Sequence, residues 1–226
     1  MKTIMFDFDG TLTNKVPNIW KKIWRLLGYD TSNEGTVYRK QFNDYLNGVT
    51  TFKEWVNETC KSWVERGFNK SMIPGVVSDI TLMDGFDEFM KTLKEKDIAL
   101  HVVSGNFVEV IMHVLKERSK YFDTINANNM IFNTDGDLTQ IVGTNYDFDG
   151  KAKFIADYCR VFNINPEDAC FIGNGDNDEW AHQSGCKTIC INPHNTDGED
   201  TTKWHQTINT NNLMDLIPLL FDDEKK

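Results

Sequence analysis

Long apolar runs are missing from this 226-residue sequence. None approaches the ~18 residues of a membrane-crossing helix, so no spanning segment is expected. Positive charge is also in short supply. Lys and Arg number 24 against 34 Asp and Glu, a formal net charge of -10, and no basic stripe stands out. Nucleic acid is a disfavoured partner, because a polyanion needs a matching cationic face. Paired cysteines are lacking too. The five are Cys60, Cys159, Cys170, Cys186 and Cys190, an odd number. No two have the two-residue spacing of a thiol redox pair or a zinc ribbon. Cys170 and Cys190 lie in apolar runs and read as small core residues. A reducing compartment fits this usage. Asp7 and Asp9 fall where a signal peptide would need an apolar stretch, so a cytoplasmic protein is expected. Internal repeats and low-complexity segments are absent as well.

What is present is material for a sizeable core: 40% of the residues are hydrophobic. The length suits one domain, or one domain with an insertion. Thr3 to Phe8 reads as a short buried strand that ends on Asp-Gly. Ala99 to Val103, Ala169 to Ile172 and Thr188 to Ile191 resemble it. Each ends in small or polar residues. Helical stripes separate them: Phe86, Phe89, Met90 and Leu93; then Val108, Ile111, Met112 and Leu115; then Phe154, Ile155, Tyr158, Val161 and Phe162. Strands alternating with helices predict an α/β fold, a Rossmann-like parallel sheet with helices on both faces. Ligands of such sheets bind at the carboxyl ends of the strands, where the polar residues fall here.

The stretch 14–76 differs. It shows no convincing strand but carries helical stripes, one through Ile19, Trp20, Ile23, Trp24 and Leu27. A second runs through Phe52, Trp55, Val56, Thr59, Cys60, Trp63 and Val64, with Thr50 or Thr51 as its N-cap. A small helical bundle with an aromatic core is expected, one or two of whose aromatics could line a pocket. Met130 to Phe132 and Leu138 to Val142 read as a hairpin turning at Asp135-Gly136. Asp222 to Lys226 reads as a frayed charged tail.

Asp7 and Asp9 are the first chemical signal. Side chains alternate along a strand, so two acids spaced by one residue can share a cavity. Ser104, with the amides of Gly105 and Asn106, forms a donor cluster where a strand passes into a helix. Lys151 opens a helix, with Lys153 as its competitor for a fixed cation. The loop Gly173-Asn174-Gly175-Asp176-Asn177-Asp178 puts oxygen-bearing side chains after a buried strand, which suits a hard cation or an ordinary loop.

In this order the segments resemble the haloacid dehalogenase superfamily, in its phosphoserine-phosphatase-like branch. The pattern is Asp-x-Asp-Gly-Thr, then Ser or Thr, then Lys, then a glycine-rich acidic loop. The resemblance covers nearly the whole chain. It implies a core of residues 1–13 and 77–226 with a small helical cap, 14–76, inserted after the first strand. It also implies a Mg²⁺-dependent phosphatase acting on a small phosphorylated metabolite. Asp7 would be the nucleophile, forming an aspartyl phosphate, and Asp9 the general acid and base. Ser104 would donate to a phosphoryl oxygen, and Lys151 would neutralise charge. Thr11, Gly105 and Asn106 would complete the phosphate seat. The metal would lie among Asp7, the Asp9 carbonyl, Asn174 and Asp178.

One position departs from that pattern: Asn174 stands where the branch carries an acid. An amide oxygen brings no charge, so metal affinity should fall unless Asp178 compensates. Phosphoserine is a candidate substrate, and its recognition would want an arginine and an acid from the inserted segment. Arg25, Arg39, Arg66, Glu54 and Glu58 are available. Transfer to another alcohol, or weak catalysis by a phosphate-binding protein, are the alternatives. A monomer is expected.

Overall fold

The computed structural model describes residues 1–14, 18–33, 35–144, 146–194 and 203–221; the expected tail at 222–226 lies outside them. Four helices come early: α1 (Ile19–Leu26), α2 (Val37–Leu46), α3 (Phe52–Glu65) and α4 (Ile73–Val76). Four more follow: α5 (Phe86–Glu95), α6 (Val108–Leu115), α7 (Asp149–Val161) and α8 (Leu216–Phe221). The strands are β1 (Thr3–Phe6), β2 (Ala99–Phe107), β3 (Thr124–Phe132), β4 (Leu138–Val142), β5 (Ala169–Gly175), β6 (Lys187–His194) and β7 (Gln206–Ile208). They form one seven-stranded sheet in the order β4-β3-β2-β1-β5-β6-β7. All pairings are parallel except β3 with β4, the hairpin expected from sequence. No helix among the described residues is long and apolar enough to cross a membrane.

Alternation along β1 explains the layering. Ile4 and Phe6 point to one face, into a core shared with Phe89, Leu93, Ile111, Leu115 and Leu216 from α5, α6 and α8. Met5 points to the other, against Ile155 and Cys159 of α7. Helices therefore cover both faces of the α/β sheet. β1 lies at its centre, between β2 and β5. The carboxyl-terminal ends of β1, β2 and β5 thus meet at one place.

Two helical stripes are narrower than expected. Ile111 and Leu115 are buried, but Met112 is 41% exposed, one residue and about 100° round the helix from Ile111. On α7, Ile155 and Cys159 face the sheet while Val161 and Phe162 are 66% and 61% exposed. The strands β2, β5 and β6 also run further than their apolar residues suggest. β2 continues through Ser104, Gly105 and Asn106 to Phe107, with an irregularity in its pairing to β3 between Val103 and Phe107.

Segment 14–76 contributes α1 to α4 joined by turns, and its centre is aromatic: Trp24, Trp63 and Phe68 are almost wholly buried. Thr51 caps α3 in a reciprocal box with Glu54, whose carboxylate accepts from the Thr51 amide at 2.8 Å. The same cluster continues into Phe107, Val110, Met130 and Ile141 beside the sheet. α3 packs closely on the segment after β4. A Cβ at Gly143 would stand 2.8 Å from Cε1 of Phe52, so only glycine fits there without displacing the ring.

Candidate active site

β1 ends at Phe6, so Asp7 begins the turn rather than the strand, and its amide still donates to the Ile172 carbonyl of β5 at 2.9 Å. The turn is closed by a hydroxyl that sequence reasoning missed. Thr13 Oγ1 accepts from the Gly10 amide at 2.9 Å, and Gly10 has φ of 76°. Thr11, expected at the phosphate, is instead fully buried with its hydroxyl unpartnered, and it does not line the cavity over Asp7. Asp9 does. Its Oδ2 accepts from Asn106 Nδ2 at 2.8 Å, and its Oδ1 is buried without a partner.

The donor cluster on β2 also differs from expectation. Because the strand continues to Phe107, residues 104–106 are extended and no helix begins at Ser104. The Asn106 amide is spent on Ser104 Oγ at 3.2 Å, so it does not face a phosphate. The Ser104 hydroxyl, which can donate to a phosphoryl oxygen, lies in the cavity wall beside Gly105. Asn106 serves instead by orienting Asp9. Asn128 of β3, also missed, fixes this strip by donating to the carbonyls of Gly105 at 2.7 Å and Asn106 at 3.1 Å. A Cβ at Gly105 would lie 2.4 Å from Asp147 Oδ2, so any larger residue there displaces the Asp147 carboxylate.

Lys151, not Lys153, is the fixed cation. It is fully buried near the start of α7, and Nζ lies 3.0 Å from Asp7 Oδ1 and 3.7 Å from Asp147 Oδ1. It also donates to Asp178 Oδ1. Asp178 Oδ2 accepts from the amides of Asn174 at 2.9 Å and Gly175 at 3.1 Å. Both Asp178 oxygens accept hydrogen bonds, and Asp178 thereby links Lys151 to the glycine loop. Gly173 permits this, since a Cβ would come within 2.6 Å of the Asp178 carboxyl carbon. Asp147 was not anticipated. It lies four residues before Lys151 and also accepts from Asn177 Nδ2. Asp176 is exposed, at the cavity edge.

These groups line one cavity of about 630 Å³. Its floor carries Asp7, Asp9, Ser104, Asn106, Asp147 and Asn174; the opposite wall comes from α1, α2 and α3. The model of the haloacid dehalogenase-like hydrolases matches residues 1–184, from β1 through the glycine loop. The chain belongs to that family. Among relatives of this hydrolase, a phosphoserine phosphatase of Methanocaldococcus jannaschii is 27% identical over 195 residues, 85% of this chain and 87% of its own length. Another, from Saccharomyces cerevisiae, is 26% identical over 179 residues, but the chain spans only 54% of its length. A solved structure described as a phospho-aspartyl intermediate analogue of phosphoserine phosphatase superposes with a TM-score of 0.70 at 23% identity. It covers 96% of this chain and 98% of that one. The protein is thus an enzyme, a phosphoric monoester hydrolase related to phosphoserine phosphatases.

Burial first, and the Asp178 charge second, push the Asp7 carboxyl of this hydrolase up to about 7, against the pull of Lys151. Burial, reinforced by Asp7, holds Asp9 well above the carboxylate range. Burial also raises Asp147. For Lys151 burial opposes the charge, yet Asp178, Asp7 and Asp147 outweigh it and keep the ammonium protonated. A stability prediction follows. Between about pH 4 and pH 7 the metal-free folded state holds a proton on Asp7 that the unfolded chain has released. The native state binds more protons there, so stability falls as pH rises through that window. Denaturant unfolding in chelator at several pH values measures the slope. In Asp7→Asn the slope should flatten; an unchanged slope would assign the effect elsewhere.

A hard cation finds a fitting seat. Asp7 Oδ2 carries no hydrogen bond, while the Asn174 side-chain nitrogen is buried without an acceptor. A half-turn of that amide about its terminal bond presents its oxygen in place of the nitrogen. Asp7, the Asp9 carbonyl and Asn174 are then an oxygen donor set. No cluster of three acids, histidines or cysteines suited to a metal occurs among the described residues. The amide at 174 and the engagement of Asp178 account for that.

Proposed function

We propose that the protein is a Mg²⁺-dependent phosphatase that hydrolyses a small phosphate monoester through an aspartyl phosphate on Asp7. The carrying observation is the pairing of two acids in different surroundings: Asp7 against the Lys151 ammonium, Asp9 held by a neutral amide. Asp7, with its charge anchored, attacks phosphorus, and the bond from phosphorus to the ester oxygen breaks. Asp9, raised and therefore protonated, gives its proton to the departing alkoxide. Asp9 then takes a proton from water as that water attacks phosphorus. The Asp7–phosphorus bond breaks and inorganic phosphate leaves. Ser104 and Lys151 hold the phosphoryl oxygens and the nucleophile in line. Mg²⁺, held by Asp7, the Asp9 carbonyl and Asn174, would mask phosphate charge against an anionic nucleophile.

Residues 14–76 act as a cap over a core of 1–13 and 77–226. The enzyme works as a cytoplasmic monomer on a phosphorylated metabolite, and the relatives' names put phosphoserine forward as a candidate. Purified protein should hydrolyse p-nitrophenyl phosphate with added Mg²⁺ and lose that activity in chelator. Activity untouched by chelation would remove the metal from the scheme. Added alcohols that divert phosphate into new esters would favour transfer over hydrolysis.

Asn174→Asp supplies the missing charge. The Mg²⁺ concentration giving half-maximal rate should fall roughly tenfold, one additional carboxylate facing a divalent ion. An unchanged or raised Mg²⁺ requirement would take residue 174 out of the metal site.

A further inference from the structure

The geometry points to a substrate whose alcohol carries a flat apolar group such as an aromatic ring, seated on the wall that α1–α3 present to the cavity. This reading rests on the phosphatase proposal above. The wall is formed by Trp20, Tyr38, Phe42, Tyr45, Phe52 and Trp55, with Leu46, 53% exposed, at its edge. The rings brace one another. Trp20 and Trp55 have centroids 4.6 Å apart, and Tyr45 lies nearly parallel to Trp55 at 5.2 Å. Trp20 spends its indole N–H on the Gly105 carbonyl at 3.1 Å, which ties the wall to the strip bearing Ser104. Its remaining surface is apolar. An aromatic guest gains from such faces both by leaving water and by ring–ring contact.

The charges that an amino-acid substrate would need lie elsewhere. Arg25 donates to Thr31, Arg66 lies over the Tyr29 ring, and Arg39 lies against Tyr38 outside the lining. Glu54 is spent as a helix cap, and Glu58 is exposed. Among the described residues the charged side chains lining the cavity are all acids: Asp7, Asp9, Asp147 and Asp176. A carboxylate on the alcohol would meet those acids and neutral donors such as Asn18 and Asn177, with no cation in the lining to pair with it. The acids do not call for a cationic substrate, since Asp7 and Asp147 already share Lys151. The rings, moreover, are in mutual contact as a wall instead of standing apart around an ammonium.

The test compares alkyl phosphates of similar leaving-group chemistry: 2-phenylethyl phosphate, ethyl phosphate, O-phosphoserine and phosphocholine, each with Mg²⁺. The expected kcat/KM for 2-phenylethyl phosphate exceeds each of the others by about tenfold or more, the discrimination an apolar pocket gives a buried ring. Phe42→Ala should reduce the phenylethyl-to-ethyl ratio about fivefold, chiefly through KM. Equal or better turnover of phosphoserine or phosphocholine overturns the proposal. Tryptophan fluorescence titrations of Asp7→Asn with the same compounds read binding without turnover. If 2-phenylethyl phosphate binds most tightly but wild type turns over nothing, the phosphatase reading fails and the pocket assignment stands. If another compound binds most tightly, the pocket assignment fails whatever the turnover.

Discussion

Asp7→Asn should lower phosphatase turnover by on the order of 10⁴-fold or more, because an amide cannot replace the nucleophile of a covalent mechanism. The same substitution should not cost stability. Asn keeps the size of the side chain and an oxygen able to accept from Lys151, which now lies 3.0 Å from Asp7 Oδ1. It also removes a carboxylate that burial and Asp178 already push up to about 7. Above that pH the wild type carries a buried charge that the variant lacks. The variant should therefore melt at the same temperature or higher at pH near 8. Loss of activity with retained stability marks a functional group. Loss of both would make Asp7 a structural residue instead.

Lys151→Met should show the opposite pattern, with both properties failing. Lys151 is fully buried and touches three carboxylates: Asp7, Asp147 and Asp178. Removing the cation leaves buried acids uncompensated, which costs about 3–5 kcal/mol. For a domain of this size that is a melting-point drop of roughly 6–20 °C. Adding Asp178→Asn to Lys151→Met should recover part of the stability, since it deletes one stranded charge. It should recover none of the activity, which needs the ammonium beside the nucleophile. Calorimetry on wild type, both single variants and the double variant reads the coupling. Strictly additive effects would mean that Lys151 and Asp178 do not act as a unit.

The chemical skeleton was legible because each part sits where an apolar run stops. Asp7 follows β1, Ser104 lies in the polar end of β2, and Asn174 and Asp178 stand where β5 ends in glycines. Lys151 was legible through its order relative to these. The parts that escaped belong to no run. Thr13 acts by a bond back to Gly10, and nothing in the sequence separates it from Thr11 beside it. Asp147 has only an i,i+4 relation to Lys151, a spacing that many surface pairs share. Asn128 lies inside a strand, where its two bonds to carbonyls of β2 depend on the irregular pairing of β2 with β3. The bonds of Asp178 to Lys151 and the loop amides were hidden for a related reason. A carboxylate in a glycine loop suits a metal or a lysine equally, and only the neighbouring amides decide between them.

The aromatic wall was half legible. Helical spacing predicts that Trp20 and Trp55 face inward, and both do pack among other rings. Which face of the bundle is left open is a tertiary matter. It depends on where α2 lies relative to the end of β2, and no local pattern encodes that.

The central claim is a covalent bond between Asp7 and phosphorus, and it can be weighed directly. Asp9→Asn removes the group that deprotonates water, whereas a good leaving group such as p-nitrophenolate departs without an acid. Phosphorylation should then proceed and hydrolysis stall. Acid quenching of that variant with p-nitrophenyl phosphate and Mg²⁺, followed by peptide mass spectrometry, should show one added phosphoryl group on Asp7. A phosphoryl group on Ser104, or a released burst of p-nitrophenol with Asp7 unmodified, would contradict the account.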